Sequence, residues 1–327
     1  MPSDYEILPL RTTDITVQQF AQLTSLFNRI FNKEFAVQDF QRKYTSGCLD
    51  YSFHALLIFK NEVVGAFSVI PNQYTYRGDT ILMGMGCDSL IHEEHRKDEL
   101  MLKKLFDSVQ PLLMEDNISF LISIPNQTAY PYWKYIVKWK DIGDLSYFVL
   151  PVKAGKLVAK KFASIINPIN RIIIWAAAWL IAPFFRPTSV AAQEPGSHVS
   201  LSRNQHFLRK RFPQDSYLHI NSNGMTAFVR FYDEDGVNVA YIMDCIPFSK
   251  KNLDYAALYL ARHYSGKADL IMYIGRLDFS PTFLYKIPKQ KEPRRQPFLG
   301  KMVGKQDTPE YFVYDNWDIS LTDFDNR

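Results

Sequence analysis

The stretch from Met83 to Met101 gathers many of the side chains able to do chemistry in this chain, among them Cys87, Asp88, His92, Glu93, Glu94, His95, Arg96, Lys97, Asp98 and Glu99. An apolar strand that passes through a short loop into a helix beginning near Arg96 presents backbone N–H groups where a pyrophosphate can be held. Asp98 and Glu99 oppose that use, because they stand where a phosphate-cradling loop needs glycine. The two histidines invite a metal reading. Zinc-binding pairs lie four apart on a helix, whereas these are three apart with no third ligand evident, so a solvated loop without metal is the reading adopted. Cys87 has no histidine and acid tied to it and reads as a small buried thiol. Each of the carboxylates at 93, 94, 98 and 99 also serves simply to complement the positive end of a helix dipole.

The elements that must position these groups follow from periodicity. A strand at 5–10 precedes a helix at 17–31 whose Phe20, Leu23, Leu26, Phe27 and Ile30 share one face behind a Thr16 cap. Two apolar runs, 53–59 and 63–70, form a hairpin, and a turn at Arg77-Gly78-Asp79 leads into a long strand at 80–90. After the loop, Met101, Leu105, Val109 and Leu112 line a helix, followed by a strand at 118–124, an aromatic helix at 129–137 and a closing strand at 145–150. The second half repeats this order. Strands at 217–220, 227–232 and 237–246 turn at Asn223-Gly224 and Asp235-Gly236, a helix covers 251–264, and a strand at 270–274, a short aromatic helix at 280–286 and a final strand at 311–321 complete it. Cys87-Asp88 and Asp244-Cys245 fall at matching points of the two long strands, which points to a tandem duplication.

At 327 residues, with 47% hydrophobic and 15% aromatic content, the chain can fill two cores. Three widely spaced cysteines and an N-terminal segment without a leader-like apolar core lead to the expectation of a cytoplasmic protein. Net charge is +4, yet Lys153, Lys156, Lys160, Lys161, Arg171 and Arg186 fall in a segment without a single acid, which leaves the rest slightly acidic. A uniformly basic nucleic-acid binder is excluded on that distribution. The basic stretch Lys286, Lys289, Lys291, Arg294 and Arg295 has no interleaved stacking aromatics and reads as a solvated loop.

With these features in place, the chain resembles the GCN5-related N-acetyltransferase (GNAT) superfamily, in a tandem arrangement similar to proteins of bacterial polysaccharide biosynthesis. The residues that carry the resemblance are His95-Arg96 entering the helix and Ser123-Ile124-Pro125-Asn126-Gln127-Thr128-Ala129-Tyr130-Pro131 opening the aromatic helix. In the second half they are Phe207-Leu208-Arg209-Lys210-Arg211-Phe212, Asn316-Trp317-Asp318 and Asp323-Phe324-Asp325. The resemblance implies an α/β (α+β) fold of two tandem GNAT-like units, each a mixed, mostly antiparallel sheet flanked by helices. The units are placed at 1–150 and, in degenerate form, at 201–327, with a basic apolar helical connector at 151–200. It also implies acetyl-CoA or another acyl-CoA as cofactor, held by Leu90, Ile91, Arg96, Lys97 and Asn126, with Leu90-Ile91 polarising the thioester carbonyl. Asp88 or Glu94 serves as base, and Glu93 is a further option. Tyr132 or Tyr135 serves as acid, since the family's usual tyrosine position holds Trp133.

The family's coenzyme A loop places small residues where this chain has Glu99 and Met101, with Lys97, Lys103 and Lys104 as offsetting charges. The second half has Pro247-Phe248-Ser249-Lys250 at the corresponding place, so the first half is the expected cofactor site. The implied activity is acyl transfer, acetyl above all, to an amine on a sugar or amino-sugar intermediate. A catalytically lost binding or scaffolding protein at a membrane surface is the alternative, and an aminoacyl-tRNA-dependent peptidyl transferase a further one. The partners expected are a small-molecule amine and no nucleic acid.

The connector has two readings. Between Arg171 and Arg186 lies an apolar run containing Trp175 and Trp179, too short to span a bilayer. Together with the lysine-rich residues before it, 153–186 either lies in an anionic membrane surface at the inner face or packs as an interdomain helix.

Overall fold

Four tight turns set the hairpins. Lys60-Asn61, Arg77-Gly78, Asn223-Gly224 and Asp235-Gly236 all take positive φ at both central residues, the backbone twist that matches paired strands. The computed structural model describes residues 4–153, 163–189, 198–304 and 308–324. Lys156, Lys160, Lys161 and Asp325, named above, lie outside the described residues.

The chain begins with β1 (Tyr5–Arg11), α1 (Val17–Phe31) and α2 (Val37–Tyr44), then β2 (Phe53–Phe59), β3 (Glu62–Tyr76) and β4 (Asp79–Ile91). Next come α3 (Met101–Glu115), β5 (Phe120–Ser123), a single π-helical turn at Tyr132–Ile136, β6 (Lys140–Asp144) and β7 (Ser146–Pro151). The connector forms α4 (Ala163–Ile181). Beyond it are β8 (Val199–Leu201), α5 (Gln205–Arg211), β9 (Leu218–Ser222), β10 (Met225–Glu234), β11 (Val237–Ile246), α6 (Lys250–Tyr264), β12 (Leu270–Gly275), β13 (Tyr285–Lys286), β14 (Pro297–Met302) and β15 (Trp317–Asp318).

Two mixed, mostly antiparallel sheets result, as expected. The first runs β1-β2-β3-β4-β5-β14-β6, with β8 paired to β3 and β15 to β8, and the second runs β13-β7-β12-β11-β10-β9. The exceptions to antiparallel pairing are β4 with β5, β8 with β15 and β11 with β12. Between the sheets lies one apolar layer holding Tyr74, Met83, Phe120 and Phe298 from the first and Tyr147, Tyr241, Met243 and Met272 from the second, closed by Phe20, Leu23, Phe40 and Tyr44 of α1 and α2. On the outer face of the first sheet, α3 buries Met101, Leu105, Phe106 and Val109 against Phe67 and Leu121. α6 and part of α4 cover the outer face of the second. Local signals explain α1 well, since Thr16 and Gln19 cap it reciprocally and Asn32 ends it in the left-handed region.

Several expectations are corrected. The strand at 145–150 does not close the first sheet: β7 pairs with β12 and β13 in the second, while β14 crosses back to lie between β5 and β6. Each half thus lends a strand to the other half's sheet. The segment 280–286 is not helical and ends in β13, and 311–321 is a series of 3₁₀ turns around the short β15. The strand of the C-terminal region is β14, directly after the basic stretch; there Arg295 donates to Asp144 at 2.7 Å and Lys289 to the Leu145 carbonyl at 2.9 Å, tying the crossing to the first half. α3 starts at Met101 rather than near Arg96, because 93–95 forms a separate 3₁₀ turn.

Candidate active site

The site is built where β4 leaves β5. Their parallel ladder joins Met83–Met85 to Phe120–Ile122, and its last link is the Ser123 hydroxyl donating to the Gly86 carbonyl at 3.0 Å. β5 then ends and the chain turns at Pro125-Asn126, whereas β4 continues to Ile91 along β3. A fork opens between the two strands. Just beyond Gly86, β4 carries an extra residue, shown by the register step from Ser68↔Cys87 to Ala66↔Leu90. Asp88 takes up this bulge at φ +47°.

The bulge turns Asp88 into a buried polar cluster. Lys43 donates to its Oδ1 at 2.9 Å and the Tyr44 hydroxyl to its Oδ2 at 2.7 Å. Both partners come from the last turn of α2, an element the sequence reading did not anticipate. Behind them, Ser68 hydrogen-bonds the Tyr44 hydroxyl and, at 2.9 Å, His54 Nδ1, while His54 Nε2 meets Thr12 Oγ1 at 2.9 Å. Burial pushes His54 down to about 3, so its ring is neutral. Burial, with the Asp88 charge second, raises Tyr44 far above the ordinary phenol range. Each carboxylate oxygen thus accepts one hydrogen bond and keeps a second lone pair for a substrate proton.

Under the fork, the outer face of the sheet is filled by tryptophan. Trp133 is buried between Phe67 and Trp139, with ring centroids 5.0 Å from each. The edge of the Trp139 ring lies 3.1 Å from where a Cβ on Gly86 would stand, so any side chain there would make the indole give way by a few tenths of an ångström. The Trp139 indole N–H is buried without a hydrogen-bond partner among the described residues. Such a donor is unusual and suits an acceptor oxygen brought in from outside.

Within the loop from 92 to 100, Asp98 is the side chain most engaged by its neighbours. Asp98 Oδ1 accepts from the Leu100 N–H at 2.9 Å, its backbone carbonyl accepts from Met101, and its Oδ2 lies 2.5 Å from Lys104. Lys104 first, and the Leu100 N–H second, hold the Asp98 carboxyl below the usual range. An anion arriving at the start of α3 therefore meets an anion already there. Glu99, singled out from the sequence, is exposed, and Met101 is buried in the cluster that includes Phe67, Trp133 and Trp139. Arg96 donates from Nε to the Ile91 carbonyl at 2.7 Å and is otherwise exposed, as is Lys97. Leu90 is buried opposite Ala66, and Ile91 lies opposite Gly65 at the mouth of the fork.

The remaining anticipated residues are more scattered. Asn126 Oδ1 accepts from the Ala129 N–H at 2.8 Å and acts as a turn cap. Tyr132 and Tyr135 are exposed on the π turn, Tyr135 beneath the Lys134 ammonium, which pairs with Asp141. Glu94 is exposed beside His92, its backbone nitrogen 3.4 Å from the ring Nδ1. Donor atoms of His92, Glu94 and His95 lie within 4.8 Å of one another, so Glu94 is the third potential ligand that linear spacing did not reveal. However, the Arg29 guanidinium donates to His92 Nε2 at 2.8 Å and the Tyr5 hydroxyl meets His95 Nδ1 at 2.7 Å, which sets a fixed positive charge against a cation.

The second half repeats the bulge. Between β10 and β11 the register steps from Phe228↔Asp244 to Val229↔Ile242, and Asp244, fully buried, pairs with Arg203 Nε at 2.5 Å. Asp323 completes this cluster, accepting from Tyr74 of β3 at 3.2 Å and from the Ser320 N–H at 2.9 Å. Burial raises its carboxyl to about 6. Arg211 donates to the carbonyls of Thr322 and Phe324, which brings the 207–212 and C-terminal signatures together. At the start of α6 the Ser249 hydroxyl accepts the Asn252 N–H at 3.2 Å, so this helix too is capped from within.

The residues at the fork fit a thioester arm in one respect, an orphaned indole donor beneath diverging strands, while at the helix mouth a diphosphate would face the Asp98 carboxylate. No protein-family model and no curated protein matches the sequence. Solved structures do match in shape. A GCN5-related N-acetyltransferase from Anabaena variabilis ATCC 29413 superposes with a TM-score of 0.58 at 12% identity, covering 92% of this chain and 73% of that one. A GCN5-related N-acetyltransferase from Kribbella flavida gives 0.57 at 14% identity, covering 91% and 71%. Eis1 from Mycobacterium abscessus gives 0.53 at 10% identity, covering 91% and 73%. The chain therefore has the fold of the GCN5-related N-acetyltransferases.

Proposed function

We propose that the protein is an N-acyltransferase that takes an acyl group, acetyl above all, from an acyl-CoA thioester and places it on an amine of a small molecule. The observation that carries this reading is the fork between β4 and β5, with the Asp88 bulge beside it and the partnerless Trp139 N–H beneath it. Asp88 offers a carboxylate to a cationic amine, and the Tyr44 hydroxyl and Lys43 ammonium hold that carboxylate in place beside the fork. Leu90 and Ile91 line the mouth as the backbone that would polarise a thioester carbonyl. The sugar or amino-sugar nature of the acceptor rests on the sequence resemblance.

Asp98 favours a second reading, a GNAT-like binding protein that has lost its coenzyme, because its carboxylate stands at the mouth of α3 and already engages the Leu100 amide there. Free-thiol release from acetyl-CoA, measured against a panel of amino sugars and simple amines, tests the first reading, with Asp88→Asn as the inactive control. Turnover abolished by Asp88→Asn supports transfer. No turnover, combined with no calorimetric heat from millimolar acetyl-CoA in either the natural protein or Asp98→Asn, establishes the binding protein instead.

A further inference from the structure

We infer that the outer face of α4 is a docking surface for an anionic lipid bilayer. One side of this helix is accounted for. Ala178 is buried, and Ile174, Ile181 and Phe185 pack against the core beneath α6. The opposite side is apolar along its length and uncovered: Ile169, Ile172, Ile173, Leu180 and Phe184 are more than half exposed, Leu180 at 73%, and Trp175 and Trp179 are each 44% exposed. At 100° per residue these positions occupy roughly half of the helix circumference, where a surface helix ordinarily carries charge. An apolar face of this extent on a protein exterior marks an interaction site.

Charge decides the occupant. The segment 151–190 contains six basic residues and no acid; Lys153 pairs with Asp269, and Lys156, Lys160 and Lys161 lie outside the described residues. Arg171 and Arg186 bracket the exposed face, and both are exposed themselves. The chain after the helix is fastened to the start of α6 by Thr188 and Asn252, which exchange hydrogen bonds of 2.8 and 2.9 Å, and this brings the exposed Lys250 and Lys251 alongside. Arg262 stacks its guanidinium 3.2 Å from the centre of the Trp179 ring, and the Trp175 and Trp179 rings are 6.0 Å apart. Indoles and arginines flanking an apolar stripe are the arrangement that settles at headgroup depth. No helix among the described residues is long and apolar enough to cross a membrane, so α4 lies along the surface rather than through it. A protein partner of ordinary composition offers no such match, whereas an anionic leaflet supplies acyl chains for the isoleucines and phosphates for the cations.

The test is flotation of the full chain with vesicles of equal parts phosphatidylglycerol and phosphatidylcholine, against pure phosphatidylcholine, comparing the natural protein with Ile173→Asp/Leu180→Asp. Both substituted side chains are mostly exposed, so an unchanged melting temperature confirms the fold. We expect the natural protein to float with the anionic vesicles, at least tenfold less with the neutral ones, and the variant at least tenfold less with either. Quenching of tryptophan emission by brominated lipids should follow the same pattern. Absence of flotation by the natural protein, equal flotation of both proteins, or equal flotation with both vesicle types overturns the inference. So does a natural dimer that the variant converts to monomer without vesicle binding, since the face would then belong to a second copy.

Discussion

Replacing Asp98 by Asn separates charge from geometry at the mouth of α3. The amide oxygen can still accept the Leu100 N–H, now at 2.9 Å, so the cap survives, while the negative charge paired with Lys104 disappears. A diphosphate using the Leu100 amide comes within about 4 Å of this side chain, where two unit charges repel by about 1 kcal/mol in water and about 4 kcal/mol near a partly buried protein surface. The Asp98 side chain is 36% exposed and Lys104 already offsets it, which favours the lower end, about 1.4 kcal/mol or roughly tenfold in Kd. Titration calorimetry with acetyl-CoA at ~0.1 M salt should show Asp98→Asn binding about tenfold more tightly than the natural protein. At ~1 M salt, where the screening length is about 3 Å, most of that gain should vanish. Loss of the exposed Lys104 pair costs less than about 1 kcal/mol of stability, so folding is not in question. Equal affinities in the two proteins, or a gain untouched by salt, would refute the claim that Asp98 guards an anion site.

Lys43→Met leaves the Asp88 carboxylate, only 7% exposed, without its cation, and urea unfolding should report about 3–5 kcal/mol of lost stability, most of it restored by adding Asp88→Asn. His54 is depressed to about 3 from 6.5, so its contribution is complete above pH 6.5 and is lost as pH falls toward 3; between pH 6.5 and 4.5 this amounts to roughly 2 kcal/mol, and His54→Gln should flatten that slope. Asp323 acts oppositely, because a carboxyl raised to about 6 adds stability as pH falls from about 6 toward 3.8, and Asp323→Asn should steepen the acid loss in the same urea series. Residues 1–150 expressed alone should fail to give a dispersed amide spectrum, since β5 and β6 lose β14 between them, whereas co-expression with 151–327 should restore a folded complex.

The Tyr132 and Tyr135 positions illustrate how a site changes between string and fold. The family resemblance assigned one of them the role of acid, and the local backbone forms a π turn that buries Trp133 and leaves both phenols exposed. Trp133 wins the interior because Phe67, Phe106 and Trp139 offer it an aromatic cavity, a fact about three other segments. Lys43 and Tyr44 were invisible for the complementary reason. The helix that carries them is short, with only Phe40 and Tyr44 buried, which is too weak a period to read.

What the residues alone settled is what depends on neighbours along the chain. The Asn-Gly and Asp-Gly hairpins, the Thr16 cap, the buried faces of α1 and α3 and the duplicated Asp near the end of each long strand all follow from spacing and local backbone preference. The partners of β7 and β14, the caging of Asp88 by Lys43 and Tyr44 and the placing of Trp139 under Gly86 were decided only by the folded molecule. An alternating apolar pattern states that a strand has a face to bury, but not which sheet will bury it. That choice is made by the complementarity of surfaces far apart in sequence, and in this chain it exchanges one strand of each half for one of the other.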